Sequence, residues 1–155
     1  MMHISEKGVY CLLLKNTLCT IRVGSLGEIR FRQGFHIYVG SALGPGGLKR
    51  VARHVRLASE KDKVPRWHID YLNLDSHFEL VGAVCAATPK DLECSLAGSL
   101  DGESVPNFGC SDCSCGSHLF YREFSPLDEI RTSFTACGLE PVLMYGQQAT
   151  DASLP

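Results

Sequence analysis

The sequence holds no run of eighteen apolar residues, no charged-then-apolar leader at Met1-Met2-His3-Ile4-Ser5-Glu6-Lys7, and only one tryptophan. The first absence argues against a membrane-spanning helix and the second against a secretory signal, so a cytoplasmic location is expected. No internal repeat and no composition break divides the chain. We therefore expect one domain over residues 1–145, followed by a polar tail at 146–155. An excess of positive charge is missing too. Fifteen Lys and Arg face seventeen Asp and Glu, so any attraction to nucleic acid must come from a local basic surface. No heptad pattern suggests a coiled coil, which leaves the oligomeric state open.

At 155 residues, 45% of them hydrophobic, the chain is long enough for one sizeable core. Its basic residues cluster between Lys49 and His68, where Lys49, Arg50, Arg53, Arg56, Lys61, Lys63 and Arg66 are opposed only by Glu60 and Asp62. Eight cysteines would suit a disulfide framework in an oxidising compartment. Cys11, Cys19 and Cys85, however, lie in apolar, strand-like runs, while Cys110, Cys113 and Cys115 crowd into six positions. Crowding of that kind points to a metal.

The pattern of elements predicts a mixed α/β (α+β) domain with a small, mainly antiparallel central sheet flanked by helices. Gly8 to Leu14 and Leu18 to Val23 read as the two arms of a hairpin, followed by strands at Glu28 to Arg32 and Gly34 to Gly40. An amphipathic basic helix is expected from Leu48 to about Ala58, with Leu48, Val51, Ala52, Val55 and the stem of Arg56 inward and Arg50, Arg53 and His54 on its flanks. Trp67 to Leu72 reads as a short helix and Phe78 to Ala86 as a strand. A further helix, capped by Thr88 with Pro89 first inside it, would run to about Gly98. Asp101 to Gly116 reads as a loop needing support other than a core. A strand at His118 to Arg122 and a helix from Ser125-Pro126 to about Cys137 come next, and the chain is expected to fray from Tyr145.

Two tripeptides then stand out: Gly8-Val9-Tyr10 on one strand and Tyr38-Val39-Gly40 on another, followed by Arg50, His54 and a later Glu93. This ordered set resembles the GIY-YIG nuclease superfamily. Further likeness to a branch of that superfamily of unknown function comes from Tyr-Val-Gly-Ser-Ala-Leu-Gly, Trp-His-Ile-Asp-Tyr-Leu, Glu-Cys and Phe-Gly-x-Ser-Asp-Cys. The gap between Tyr10 and Tyr38 is longer than is usual there. An added strand pair from Thr20 to Arg32 would fill it, at a sheet edge or packed elsewhere.

The resemblance implies an endonuclease hydrolysing phosphodiester bonds in DNA, or less readily RNA. Tyr10 would be the base candidate with Tyr38 beside it, Arg50 the transition-state stabiliser, His54 a supporting donor and Glu93 the ligand of Mg²⁺ or Mn²⁺. Each residue type suits its task. A carboxylate is a hard ligand, an Arg fork fits phosphate oxygens, and a phenol needs a nearby cation to act as a base at neutral pH. Arg53 competes with Arg50, which is preferred because its spacing to His54 matches the superfamily. Lys49, Arg53, Arg56, Lys63, Arg66 and His68 are the expected nucleic-acid contacts, with His68 placed at the cleft by the same likeness. Asn107 is a candidate for a late supporting Asn, although a turn role suits it equally.

Cys110, Cys113, Cys115 and His118 offer four donors for a structural zinc. The related sequences carry Ser at the position of Cys110, which favours Cys94, Cys113, Cys115 and His118 and leaves Cys110 as the alternative. Two other readings remain. One is a nucleic-acid-binding or adaptor module without turnover; the other is a redox protein using the cysteines themselves. A protein partner could supply the specificity of the nuclease.

Overall fold

The computed structural model describes residues 5–109 and 115–146. A five-stranded, wholly antiparallel sheet has the order β6-β4-β1-β5-β7. Its strands are β1 (Gly8–Asn16), β4 (Gly34–Ala42), β5 (Phe78–Ala87), β6 (Leu119–Arg122) and β7 (Val142–Gly146). β2 (Cys19–Arg22) and β3 (Glu28–Phe31) form a separate two-stranded sheet. Among the described residues four α-helices accompany the sheets: α1 (Lys49–Glu60), α2 (His68–Leu74), α3 (Glu93–Leu100) and α4 (Leu127–Ala136). Among the described residues, no helix is long and apolar enough to cross a membrane.

β1 lies at the centre of the sheet, and its apolar run follows from that position. Tyr10, Leu12 and Leu14 face a core made with α1, α2 and the small sheet. Val9, Cys11 and Leu13 face a second core made with α3 and α4. A strand covered on both faces has no polar side to show, hence its unbroken hydrophobicity. The three buried cysteines, Cys11, Cys19 and Cys85, occupy these cores as small apolar residues.

Several expectations need correction. β1 does not pair with β2, because the chain leaves β1 after Asn16 and β2 turns instead onto β3. Asn16 holds this departure: its Nδ2 donates to the carbonyls of Thr17 and Arg32, and its Oδ1 meets His36 Nδ1 at 2.8 Å. The added strand pair thus packs away from the main sheet rather than extending it. α1 buries Val51, His54 and Leu57, while Ala52 and Arg56 are exposed. The helix is rotated from the expected phase because a polar His sits on its inner face. α3 begins at Glu93, not after Pro89, since Thr88 Oγ1 accepts the Lys90 N–H and closes a turn instead. β7 takes in Tyr145 and Gly146, where fraying was expected to begin, and the rest of the expected frayed tail, 147–155, lies outside the described residues. The loop from 101 also has its own apolar anchor: Phe108 is fully buried, and Val105 and His118 donate to Leu119 and Phe108 carbonyls.

Candidate active site

Tyr10 and Tyr38 project from adjacent strands onto the α1/α2 face, their ring centroids 6.5 Å apart. The strand register explains the two glycines. Tyr10 stands opposite Gly40, and a Cβ on Gly40 would collide with the Tyr10 ring and hydroxyl. A Cβ on Gly8 would strike the Ala86 carbonyl oxygen. Gly40 of the second tripeptide therefore makes room for Tyr10 of the first, while Gly8 lets β1 lie close against β5.

These tyrosines line a polar cleft of about 350 Å³. α1 contributes Arg50, the segment leading into α2 contributes Arg66, Trp67 and His68, and the first turn of α3 contributes Glu93. Ser41 and Gly109 complete the wall. Arg50 is steered into place by a 2.8 Å bond to the Ser41 carbonyl and forms no ion pair among the described residues. An unneutralised guanidinium facing a polar cleft is suited to an anion.

His54 lies behind the cleft rather than in it. Its Nε2 is 2.9 Å from the Tyr10 hydroxyl, and its Nδ1 is 3.3 Å from Asn73 Nδ2. With the amide so oriented, Nδ1 accepts, Nε2 carries the proton and donates to the Tyr10 oxygen, and the Tyr10 proton is left for another acceptor. Lys61, left-handed at the end of α1 (φ 52°), fixes this support by donating to the carbonyls of Asn73 and Asp75. Burial pushes His54 down to about 4, with Arg53 and Arg50 adding to the effect against Asp70. It is a neutral imidazole at physiological pH. Burial likewise pushes the Tyr10 phenol well above its usual range, aided by Tyr38 and Glu93 and opposed by Arg50 and Arg53.

Arg53 is engaged elsewhere. Its two terminal nitrogens grip Asp70 at 3.2 and 3.0 Å, and the Asp70 side chain is fully buried. Burial acts to raise the Asp70 pKa, but Arg53 and the backbone N–H groups of Arg66 and Trp67 outweigh it and keep the carboxyl low. Arg50 thus reaches the cleft, while Arg53 braces the start of α2. His68 Nδ1 accepts the Gly109 N–H at 2.9 Å, which leaves its proton on Nε2; burial lowers its pKa.

Of the other expected contacts, Lys49 and Lys63 are exposed but do not line the cleft. Arg56 lies along a different groove with Met144 and Tyr145. Asn107 is a left-handed turn residue (φ 65°) whose N–H donates to Gly116, away from the cleft. Ser41 and Gly109 fall inside the Tyr-Val-Gly-Ser-Ala-Leu-Gly and Phe-Gly-x-Ser-Asp-Cys stretches without being singled out there, and nothing in the sequence points to Asn73.

A second centre sits beside the first. One ligand atom each from Cys94, Cys115 and His118 fall within 4.8 Å of one another, a group that could hold a metal ion. Cys94 Sγ is 3.8 Å from His118 Nε2, and His118 Nδ1 is 3.6 Å from Glu93 Oε2. Cys94 and Cys115 are joined as a disulfide, a form in which neither sulfur is a thiolate ligand, which departs from the expected reduced cluster. Cys110 and Cys113 lie outside the described residues.

A profile of a family described as a domain of unknown function, DUF123, matches residues 9–139. The chain belongs to the DUF123 family. No curated protein and no solved structure matches it. The match takes in every residue lining the cleft, from Tyr10 to Gly109, and the Cys94, Cys115 and His118 group as well.

Proposed function

We propose that the protein is a metal-dependent endonuclease of the GIY-YIG type that hydrolyses phosphodiester bonds in DNA. The observation that carries the reading is the convergence of Tyr10, Tyr38, Arg50 and Glu93, from four separate elements, on one polar cleft with His54 behind Tyr10. Arg50 binds the non-bridging oxygens of the scissile phosphate and stabilises charge developing there. Tyr10 orients the attacking water through its hydroxyl, and His54 Nε2–H supports the phenol oxygen as negative charge grows on it. His68, with its proton on Nε2, donates to a phosphate or leaving oxygen.

The donor set fits a hard cation. Glu93 offers a carboxylate in the cleft, and Mg²⁺ or Mn²⁺ needs only one or two protein oxygens besides phosphate and water. Such an ion supplies charge neutralisation and a more acidic water. Two thiols and an imidazole likewise fit Zn²⁺ when Cys94 and Cys115 are reduced, with Cys113 or Cys110 as the fourth donor. That ion would be structural.

The high pKa of Tyr10 favours a second reading, a DNA-binding module without turnover. Labelled single-stranded, duplex, branched and flapped DNA incubated with Mg²⁺ or Mn²⁺ separates the two. Nuclease action predicts cleavage that falls by roughly 10²–10³-fold in both Arg50→Ala and Glu93→Ala, with folding intact. Salt-sensitive binding with no cleavage of any substrate would replace the nuclease with the module.

A further inference from the structure

The single tryptophan stands where a core residue would not. Trp67 is 37% exposed and lines the cleft beside Arg50. Its position is fixed from behind: its own N–H and that of Arg66 both donate to Asp70 Oδ2, at 3.1 and 2.8 Å. Three guanidinium groups surround the indole, with Arg53, Arg50 and Arg66 at 4.4, 5.0 and 5.5 Å from the ring centre.

Those three cations are not equivalent. Arg53 is held by Asp70, and Arg50 by the Ser41 carbonyl, so neither depends on the ring for its place. Arg66 is exposed, and its side chain has no partner but the ring among the described residues. A cation–π contact at an exposed site is weak enough to be exchanged for a better partner. The cleft rim thus presents a rigid aromatic plate, a fixed cation where a phosphate would sit, and a movable cation beside the plate.

We propose that Trp67 is a stacking platform for an unpaired base, so that the preferred ligand of the cleft is single-stranded or locally unpaired DNA rather than continuous duplex. This rests on the nucleic-acid reading of the cleft. Within a duplex both faces of each base are covered by neighbours. An unpaired base has a free π-face, and aromatic side chains take it with little regard to sequence. Arg50 then holds the phosphate of the same nucleotide, and Arg66 closes on the base or its neighbouring phosphate.

Trp67 supplies its own probe, because no other indole contributes to the emission. The protein is titrated in EDTA, where cleavage cannot intervene, with three ligands: a labelled single strand, its blunt duplex, and an abasic strand of equal length and charge. Anisotropy of the label gives occupancy, and indole emission gives stacking. The expected result is quenching at saturation by the single strand and little by the duplex or the abasic strand. Trp67→Ala should weaken single-strand binding by roughly ten-fold and leave duplex binding unchanged, while Trp67→Phe should keep most of the affinity. Equal quenching by all three ligands, or saturation by the single strand without quenching, overturns the platform and leaves the nuclease reading intact. No binding of any ligand at low salt overturns both.

Discussion

Two buried histidines, His54 and His36, face the same core of the sheet and differ in little except their surroundings. Burial lowers both to about 4. Each meets an Asn through Nδ1, Asn73 for His54 and Asn16 for His36. The protons lie on opposite nitrogens, however. Asn16 Oδ1 accepts from His36 Nδ1–H, and the His36 ring is packed among Phe31, Phe78 and Tyr121. His54 turns Nε2 to a phenol on the wall of a cleft that also holds Arg50, Arg66 and Glu93. The hollow beside the His36 end is larger, about 560 Å³, but among its lining are Glu79 and Glu123 and no arginine. Burial and a displaced pKa therefore mark both residues equally, and only the groups they serve separate a fold clasp from a site support.

The largest expected contrast lies in the ion pairs of the two regions. Arg53→Ala strands the buried Asp70 and should cost about 3 kcal/mol in urea unfolding. Arg32→Ala removes a partner of Glu103 from an exposed pair and should cost less than about 1 kcal/mol. Equal losses would break the contrast. Next come the glycines. Gly40→Ala forces Tyr10 to move and should cost about 1–3 kcal/mol and disturb cleavage, whereas an added Cβ at Gly82 meets Leu13 at an ordinary 3.7 Å and should change stability by under ~0.5 kcal/mol.

The histidines themselves sharpen the comparison further. His54→Leu and His36→Leu should each lose about 1–3 kcal/mol, since each leaves a buried Asn short of a partner. On the nuclease reading, only His54→Leu should slow cleavage, by roughly 10²-fold. A similar loss of rate in His36→Leu would remove the distinction. Stability should also depend on pH. Both folded pKa values lie below the usual 6.5, so the unfolded chain binds protons first. Stability is then full above pH 6.5 and falls as pH drops toward 4, by up to about 1.4 kcal/mol per unit for each histidine. Either Leu variant should remove its share of the slope in unfolding measured across that window.

β1 and β5 were legible because strands covered on both faces write continuous apolar runs. Their partners were not: a short gap between Asn16 and Cys19 is equally compatible with a hairpin and with a departure into a second sheet. The phase of α1 was lost because His54 counts as polar until Tyr10 and Asn73 supply its hydrogen bonds. β7, half-exposed at an edge, carries too little alternation to be seen. In the cleft, the ordered tripeptides brought Tyr10, Tyr38, Arg50 and Glu93 to notice together. The reason for Gly40 appears only with the register, and the diversion of Arg53 to Asp70 only with the packing of α1 on α2.

The central place of β1 has a consequence for how the chain reaches its fold. Its sheet neighbours, β4 and β5, follow after a separate small sheet and then after two helices, so both of its ladders close late and over long loops. Non-local pairing of this kind slows the search and leaves Val9 to Leu14 uncovered meanwhile, a sticky segment during synthesis. Refolding yield should accordingly fall with protein concentration before any loss of native stability is felt, and the early strand, rather than the cleft, would set that limit.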